Sequence, residues 1–407
     1  MDASTRDLAE TFDIEKLTPQ FYADPYPTYR ALREREPVKR LPNGSYFLTR
    51  YDDLVGIYKS TKLFSSDKKK EFSPKYGDSL LYEHHTTSLV FNDPPAHTRV
   101  RRLIMGALSP RAIAEMEPDL IALVDRLLAG LAAKGNVELI EDFASAIPIQ
   151  VIGNLLDVPI GEREPLRDWS LAILGALEPV IGEAQFARGN NAVRDFLAYL
   201  ETLVERRRAK PGNPERDVLT KLIQGEDNGE RLTAKELLHN CIFLLNAGHE
   251  TTTNLIGNGL VALAGNPVEK KRLINDPALI KTAIEEFLRY ESSNQLGNRV
   301  TTEAVEIGGV QMPPGTFVTL CIGAANRDPA QFTDPENLDI GRMPNRHLAF
   351  ATGPHQCAGM ALARLEGAIA ISRFLAKFPG YELNGAPVRG GRARFRGFLS
   401  APCRVHS

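Results

Sequence analysis

Phe350-Ala351-Thr352-Gly353-Pro354-His355-Gln356-Cys357-Ala358-Gly359 is the stretch on which the reading of this chain turns. It is a loop bearing Gly and Pro that delivers a cysteine to the start of a helix reaching to about Lys377. A helix start offers free N–H groups and the positive end of the helix dipole, which favour a thiolate, and the flanking glycines let backbone come close to the sulfur. A buried, inert cysteine is the plain alternative for any lone thiol. The other three cysteines, Cys241, Cys321 and Cys403, are too scattered for a paired metal site or a disulfide framework, so reduced thiols are expected.

Upstream, Thr233-Ala234-Lys235-Glu236 reads as a capping box. It opens a helix that can run to about Ala264, roughly 30 residues or 45 Å. Within it lies Ala247-Gly248-His249-Glu250-Thr251-Thr252-Thr253, where Gly and three successive Thr weaken helix propensity and predict a distorted turn. A second helix is expected over 277–291, followed by the strands AVEI, VQM and TFVTLCIG. Near the N-terminus, DPYPTYRALREREP predicts a short helix, and Asn43-Gly44 a hairpin turn ahead of the strand SYFLTR. Residues 66–85 are polar and read as a long exposed loop. Helical periodicity fills the chain to about residue 290, broken at Lys210-Pro211-Gly212-Asn213-Pro214 and at 224–229. These patterns predict one mainly α (α+β) domain over residues 1–407, with helices beside small antiparallel sheets.

Composition narrows the function classes. Lys and Arg total 49 against 51 Asp and Glu, so no global basic field exists to hold nucleic acid or an anionic membrane. No apolar run reaches the roughly 18 residues that span a bilayer. The acidic, polar start MDASTRDLAETFDIEK is unlike a secretory signal, and the expected location is the cytoplasm.

The cysteine loop resembles the haem-binding signature of the cytochrome P-450 family, in which Phe, Gly, a basic residue, Cys and Gly recur at this spacing. The resemblance implies a long central helix and the cysteine-loop helix with haem b between them. It makes Cys357 the iron ligand, with Phe350 packed beside it and His355 meeting a haem propionate. Ala351 and Thr352 depart from the usual pattern, which would tighten the loop. The Ala247–Thr253 string is similar to the family's oxygen-activating motif. By that likeness Gly248 borders the cofactor, Thr251 holds dioxygen and a water by hydrogen bonds, and Glu250 relays protons. Glu286-Phe287-Leu288-Arg289 alone would be an ordinary surface pair at i, i+3. Roughly 70 residues ahead of the cysteine it is similar to the family's ExxR pair, with Arg342 as third member of a buried structural triad. His97 and Arg101, four apart on one helix face, alone suggest a solvated basic helix. The resemblance makes them propionate partners, with Arg299 as another. Arg99 and Arg102 would then face outward as a basic patch for an acidic electron donor.

The resemblance covers the chain and implies a monooxygenase that inserts one oxygen atom from O2 into a C–H bond, acting as a monomer. Its electrons would come from a ferredoxin-type iron–sulfur protein and an NAD(P)H-dependent reductase. The pocket would be lined by Ser88, Leu89, Val90, Phe243, Asn246, Ala247, Asn294, Leu296 and Phe398. Two of these, Asn246 and Asn294, are amides where comparable sequences carry aliphatic residues. They bond each other, a water or a small oxygenated substrate, such as an aromatic acid or terpenoid, or else they bond backbone. A peroxide-driven haem enzyme, a nitric oxide reductase and a haem sensor without turnover are the competing functions.

Overall fold

The computed structural model describes residues 3–214, 217–225 and 231–406. Its axis is the helix Ala234–Gly265, 32 residues long. Both arms of the capping box are formed: Glu236 N donates to Thr233 Oγ1 at 3.1 Å, and Thr233 N donates to Glu236 Oε2 at 2.9 Å. The helix is buried on nearly every side because other helices surround it, among them Ala146–Leu155, Leu166–Gly175, Glu183–Ala209 and Met360–Lys377. The expected distortion is absent, since the helix runs unbroken through Gly248 and the three threonines. Thr251 and Thr253 do donate to the carbonyls of Ala247 and His249, at 2.6 and 2.9 Å, but the surrounding helices hold the backbone in register. Gly248 eases that packing, because a Cβ there would sit 2.5 Å from Ile152 Cδ1 and the Ile152 side chain would have to shift.

The largest sheet orders its strands Val38–Arg40, Tyr46–Leu48, Phe317–Cys321, Leu296–Thr301 and Phe64–Ser65. The Asn43-Gly44 turn joins the first two as an antiparallel hairpin, with Gly44 at φ +83°. Sheet pairing is antiparallel except between Tyr46–Leu48 and Phe317–Cys321, which run parallel. The expected strand TFVTLCIG stops at Cys321, and Ile322–Ala325 turns helical.

Residues 66–85 are not an exposed loop. They form the helices Lys69–Tyr76 and, with its C-terminal end just beyond, Leu80–Thr87. Phe72, Tyr76, Leu81, His84 and His85 are buried at helical spacing, a stripe that the polar composition concealed. The break at 210–214 separates Glu183–Ala209 from Val218–Gln224. Of the second break, 226–229 lie outside the described residues. The C-terminal helix begins at Met360, three residues beyond Cys357. Among the described residues, no helix is long and apolar enough to cross a membrane.

Candidate active site

The cysteine loop is closed by Cys357 N donating to Phe350 O at 2.9 Å and Gln356 N to Gly353 O at 3.0 Å. Gly353 sits at φ +73°, where a Cβ would meet Tyr58 O at 2.5 Å. Ala351 takes φ +52°, a left-handed conformation that costs a non-glycine residue about 1 kcal/mol or more, so the departure from glycine tightens the loop at an energetic cost. Arg101 Nη2 donates to Gln356 O at 2.6 Å and so ties the loop to the helix Ala96–Ala107. Phe350 lies under the Arg364 guanidinium, 4.8 Å from ring centre to Cζ.

Cys357 is enclosed by the protein but opens onto a cavity of about 330 Å³, whereas the other three cysteines are buried among packed side chains. The expectation of a depressed thiol pKa is not met. Burial pushes it up, outweighing the Gly359 amide and the charges of Arg101 and Arg364 that pull it down. Burial likewise pushes Cys241 and Cys321 up to about 12, which leaves them inert.

The four residues expected to meet propionates gather at the edge of this cavity. His97 and His355 stack with ring centroids 3.9 Å apart, and the Nε2 atom of each lacks a partner. Burial, reinforced by Arg101 at His97 and by Arg299 at His355, lowers the two imidazoles to about 4 and about 3. Arg299 is itself buried, against the Tyr58 ring at 5.1 Å. Two arginines and two orphaned imidazole nitrogens beside a thiol form a donor set that suits a flat, dianionic macrocycle bearing a thiolate-binding metal.

Across the cavity, Thr251 is on the lining and Glu250 is not. Glu250 Oε1 accepts from Arg392 Nη1 at 2.5 Å, while Oε2 has no partner. Burial raises its pKa, with Arg392 opposing. Arg392 was invisible from sequence, because it lies 142 residues away in an irregular segment.

Glu286 and Arg289 are fully buried, not a surface pair. Arg289 bonds both carboxylate oxygens at 2.8 Å, and Arg342 Nε reaches Glu286 Oε2 at 3.1 Å. Beside them, against the cost of burial, His347 and Arg364 hold Glu285 at about 2, a second network that sequence reading missed.

Ser88, Leu89, Val90, Phe243, Asn246, Ala247, Gly248, Asn294 and Leu296 all line the cavity. Phe398 does not. Its strand pairs with Val388–Arg389, which lays its ring against the Arg389 guanidinium at 3.9 Å, and Phe395 lines the cavity instead. Asn246 has no partner at either amide atom, and Asn294 Oδ1 has none, so the backbone alternative fails for Asn246. Arg99 does not face outward as expected. It is tied to Glu236 at the first turn of the central helix and donates to Arg231 O at 3.2 Å, which removes it from the expected basic patch.

Residues 173–381 match the family model for cytochrome P450. This chain belongs to the cytochrome P450 family. It is 36% identical over 367 residues to the biotin biosynthesis cytochrome P450 of Bacillus subtilis (strain 168), covering 89% of this chain and 91% of that one. It is 38% identical to the vitamin D(3) 25-hydroxylase of Pseudonocardia autotrophica, over 88% of this chain and 87% of the relative. The crystal structure of P450BioI, in complex with an acyl carrier protein ligated to hexadec-9Z-enoic acid, superposes with a TM-score of 0.90. The two are 34% identical, with coverage of 95% of this chain and 100% of that one. The chain is accordingly a P450 oxidoreductase of the monooxygenase type, and the family implies haem.

Proposed function

We propose that this P450 inserts one oxygen atom from O2 into a C–H bond of a small oxygenated substrate, drawing electrons from a ferredoxin-type donor and an NAD(P)H-dependent reductase. The observation that carries the reading is the Cys357 thiol facing the same cavity as Thr251, with His97, Arg101, Arg299 and His355 at its edge. Cys357 is the residue that would hold haem iron, and those four would hold its propionates. Bound haem supplies the O2-activating, C–H-oxidising chemistry.

The chain's own groups supply position and protons. The Thr251 hydroxyl, now donating to Ala247 O, is the cavity-side donor. Behind it, Glu250 would take up and release protons at its unpartnered Oε2, while Arg392 fixes the other oxygen. Glu286, Arg289 and Arg342 anchor the cysteine-loop side and touch no substrate.

The test is the visible spectrum of the reduced, CO-bound protein. A strongly red-shifted Soret band that disappears in Cys357→Ser supports thiolate ligation by this residue. An ordinary haem–CO band in the unmodified protein would overturn it. Rapid turnover with peroxide alone, without redox partners, would favour the peroxide-driven reading.

A further inference from the structure

One polar end of the cavity is not used by the groups assigned above. Arg394 lines it, together with Ser66, Lys68 and His85. The Arg394 guanidinium meets only neutral oxygens: Nε donates to Leu177 O at 3.0 Å, Nη1 to Leu296 O at 2.9 Å, and Nη2 to Asn298 Oδ1. The carboxylates nearby are already engaged. Glu71 is paired with Lys68 at 2.5 Å, Asp93 accepts from Ser65 and from Ser66 N, and Glu178 accepts from the backbone N–H groups of Ala393 and Arg394. Among the described residues no acid forms an ion pair with the Arg394 side chain. His85 Nε2 and the Ser66 hydroxyl, both buried, have no partner at all.

The two cations therefore differ: Lys68 has Glu71 as its direct partner, whereas the Arg394 guanidinium meets no carboxylate, and its charge is felt at both Lys68 and His85. A half-buried cation with only neutral acceptors is stabilised far less than one facing an anion. The planar fork of arginine suits a carboxylate, which can take two parallel hydrogen bonds. The rest of the lining, including Ile173, Leu174, Leu177 and Phe243, is apolar and suits a hydrocarbon body.

We infer that the substrate of this site is a carboxylate-bearing hydrocarbon, whose carboxylate docks on Arg394 flanked by Lys68, Ser66 and His85. The inference deepens the monooxygenase reading and rests on it only in calling the ligand a substrate. A haem propionate is the competing anion, because Asn298 bridges Arg394 to Arg299.

The test titrates the purified holoenzyme with decanoate and methyl decanoate, and with 4-ethylbenzoate and its methyl ester, by calorimetry and by the spin-state shift. Each acid is expected to bind at least about tenfold more tightly than its ester, the scale of a charge-assisted hydrogen bond. Arg394→Met should remove that preference and leave ester affinity within about twofold, with a normal CO spectrum. Lys68→Met should reduce the preference in the same direction, and it carries the test alone if Arg394→Met does not fold. Acids that bind no better than esters overturn the inference. So does an unchanged acid-to-ester ratio in the variants with weakened haem retention, which would assign Arg394 to a propionate. A red-shifted CO band without acid preference sinks this inference alone, whereas absence of the band sinks the function and leaves the calorimetric ratio to be read.

Discussion

Two buried polar regions of this molecule behave oppositely. Around Glu286, among the described residues, the charged groups are all bonded, and only the Asn345 amide oxygen lacks a partner. Arg289 uses all five N–H groups, two on Glu286 and three on the carbonyls of Asn326, Pro335 and Asn337. Glu286 receives Arg342, Asn345 and the Asp339 amide as well. Along the distal wall, Asn246 has none of its amide partners, and Ser66, His85 and Asn294 each leave an atom unpaired. Both regions are out of bulk water, where an unpaired polar group costs about 1–3 kcal/mol. A network whose charges are all matched fixes a shape. An unsaturated one inside a cavity is stabilised when something else enters.

The contrast breaks first at the triad. Glu286→Gln should lower unfolding free energy by about 3–5 kcal/mol in denaturant titrations, because it leaves two arginine charges short of their anion in the interior. A loss under about 1 kcal/mol would mean that the network is not what holds the cysteine side together.

On the distal side, Glu250→Gln should slow product formation about a hundredfold in assays with a surrogate ferredoxin, the scale of a general acid–base group, while leaving the CO spectrum intact. Burial raises Glu250 and Arg392 opposes it. Arg392→Met should thus move the apparent pKa of turnover upward, and Glu250→Gln should erase that pH dependence. A profile unchanged in both variants would remove Glu250 from the proton path.

A second comparison sets two buried carboxyls side by side. Burial alone raises Glu366, to about 8, whereas Arg396, Arg389 and Arg327 overcome burial at Glu291 and hold it at about 2. An unfolded glutamate titrates near 4.5. Glu291 therefore adds stability above that pH, which is lost as pH falls toward 2. Glu366 keeps a proton that the unfolded chain has released, so stability declines as pH rises from about 4.5 to 8, by at most about 1.4 kcal/mol per pH unit. Thermal melts across pH should show both slopes, with Glu366→Gln flattening the upper one and Glu291→Gln the lower.

The smallest effect has the opposite sign to the first. Asn246→Leu removes an unpartnered amide and should raise stability by about 1 kcal/mol in the ligand-free enzyme, while shifting affinity toward apolar ligands. Destabilisation instead would show that Asn246 is satisfied by ordered water.

Legibility followed sequence distance and regularity. The capping box at Thr233 lies within four residues, so its spacing alone carried it, whereas the loop at Cys357 and the pair Glu286 and Arg289 were legible through their resemblance to the family's short motifs. Phe398 was misplaced because strand pairing, not proximity in sequence, decides which aromatic of the C-terminal segment faces the cavity. The helices over 69–87 were hidden because Lys, Glu and His outnumber the apolar residues there, although the buried ones keep helical spacing.

The sequence by itself determined the helical architecture, through its periodicity, and pointed to the family and to the thiol at the site through the resemblance of its short motifs. Only the tertiary structure decided that Glu250 is clasped by Arg392, that Arg99 turns to Glu236, and that Lys68 and Arg394 line the same cavity. Each of these brings together segments more than 100 residues apart. Which charges end up opposed, and which are left without a counter-ion, depends on how the helices pack and on where burial raises the cost of leaving a charge unpaired.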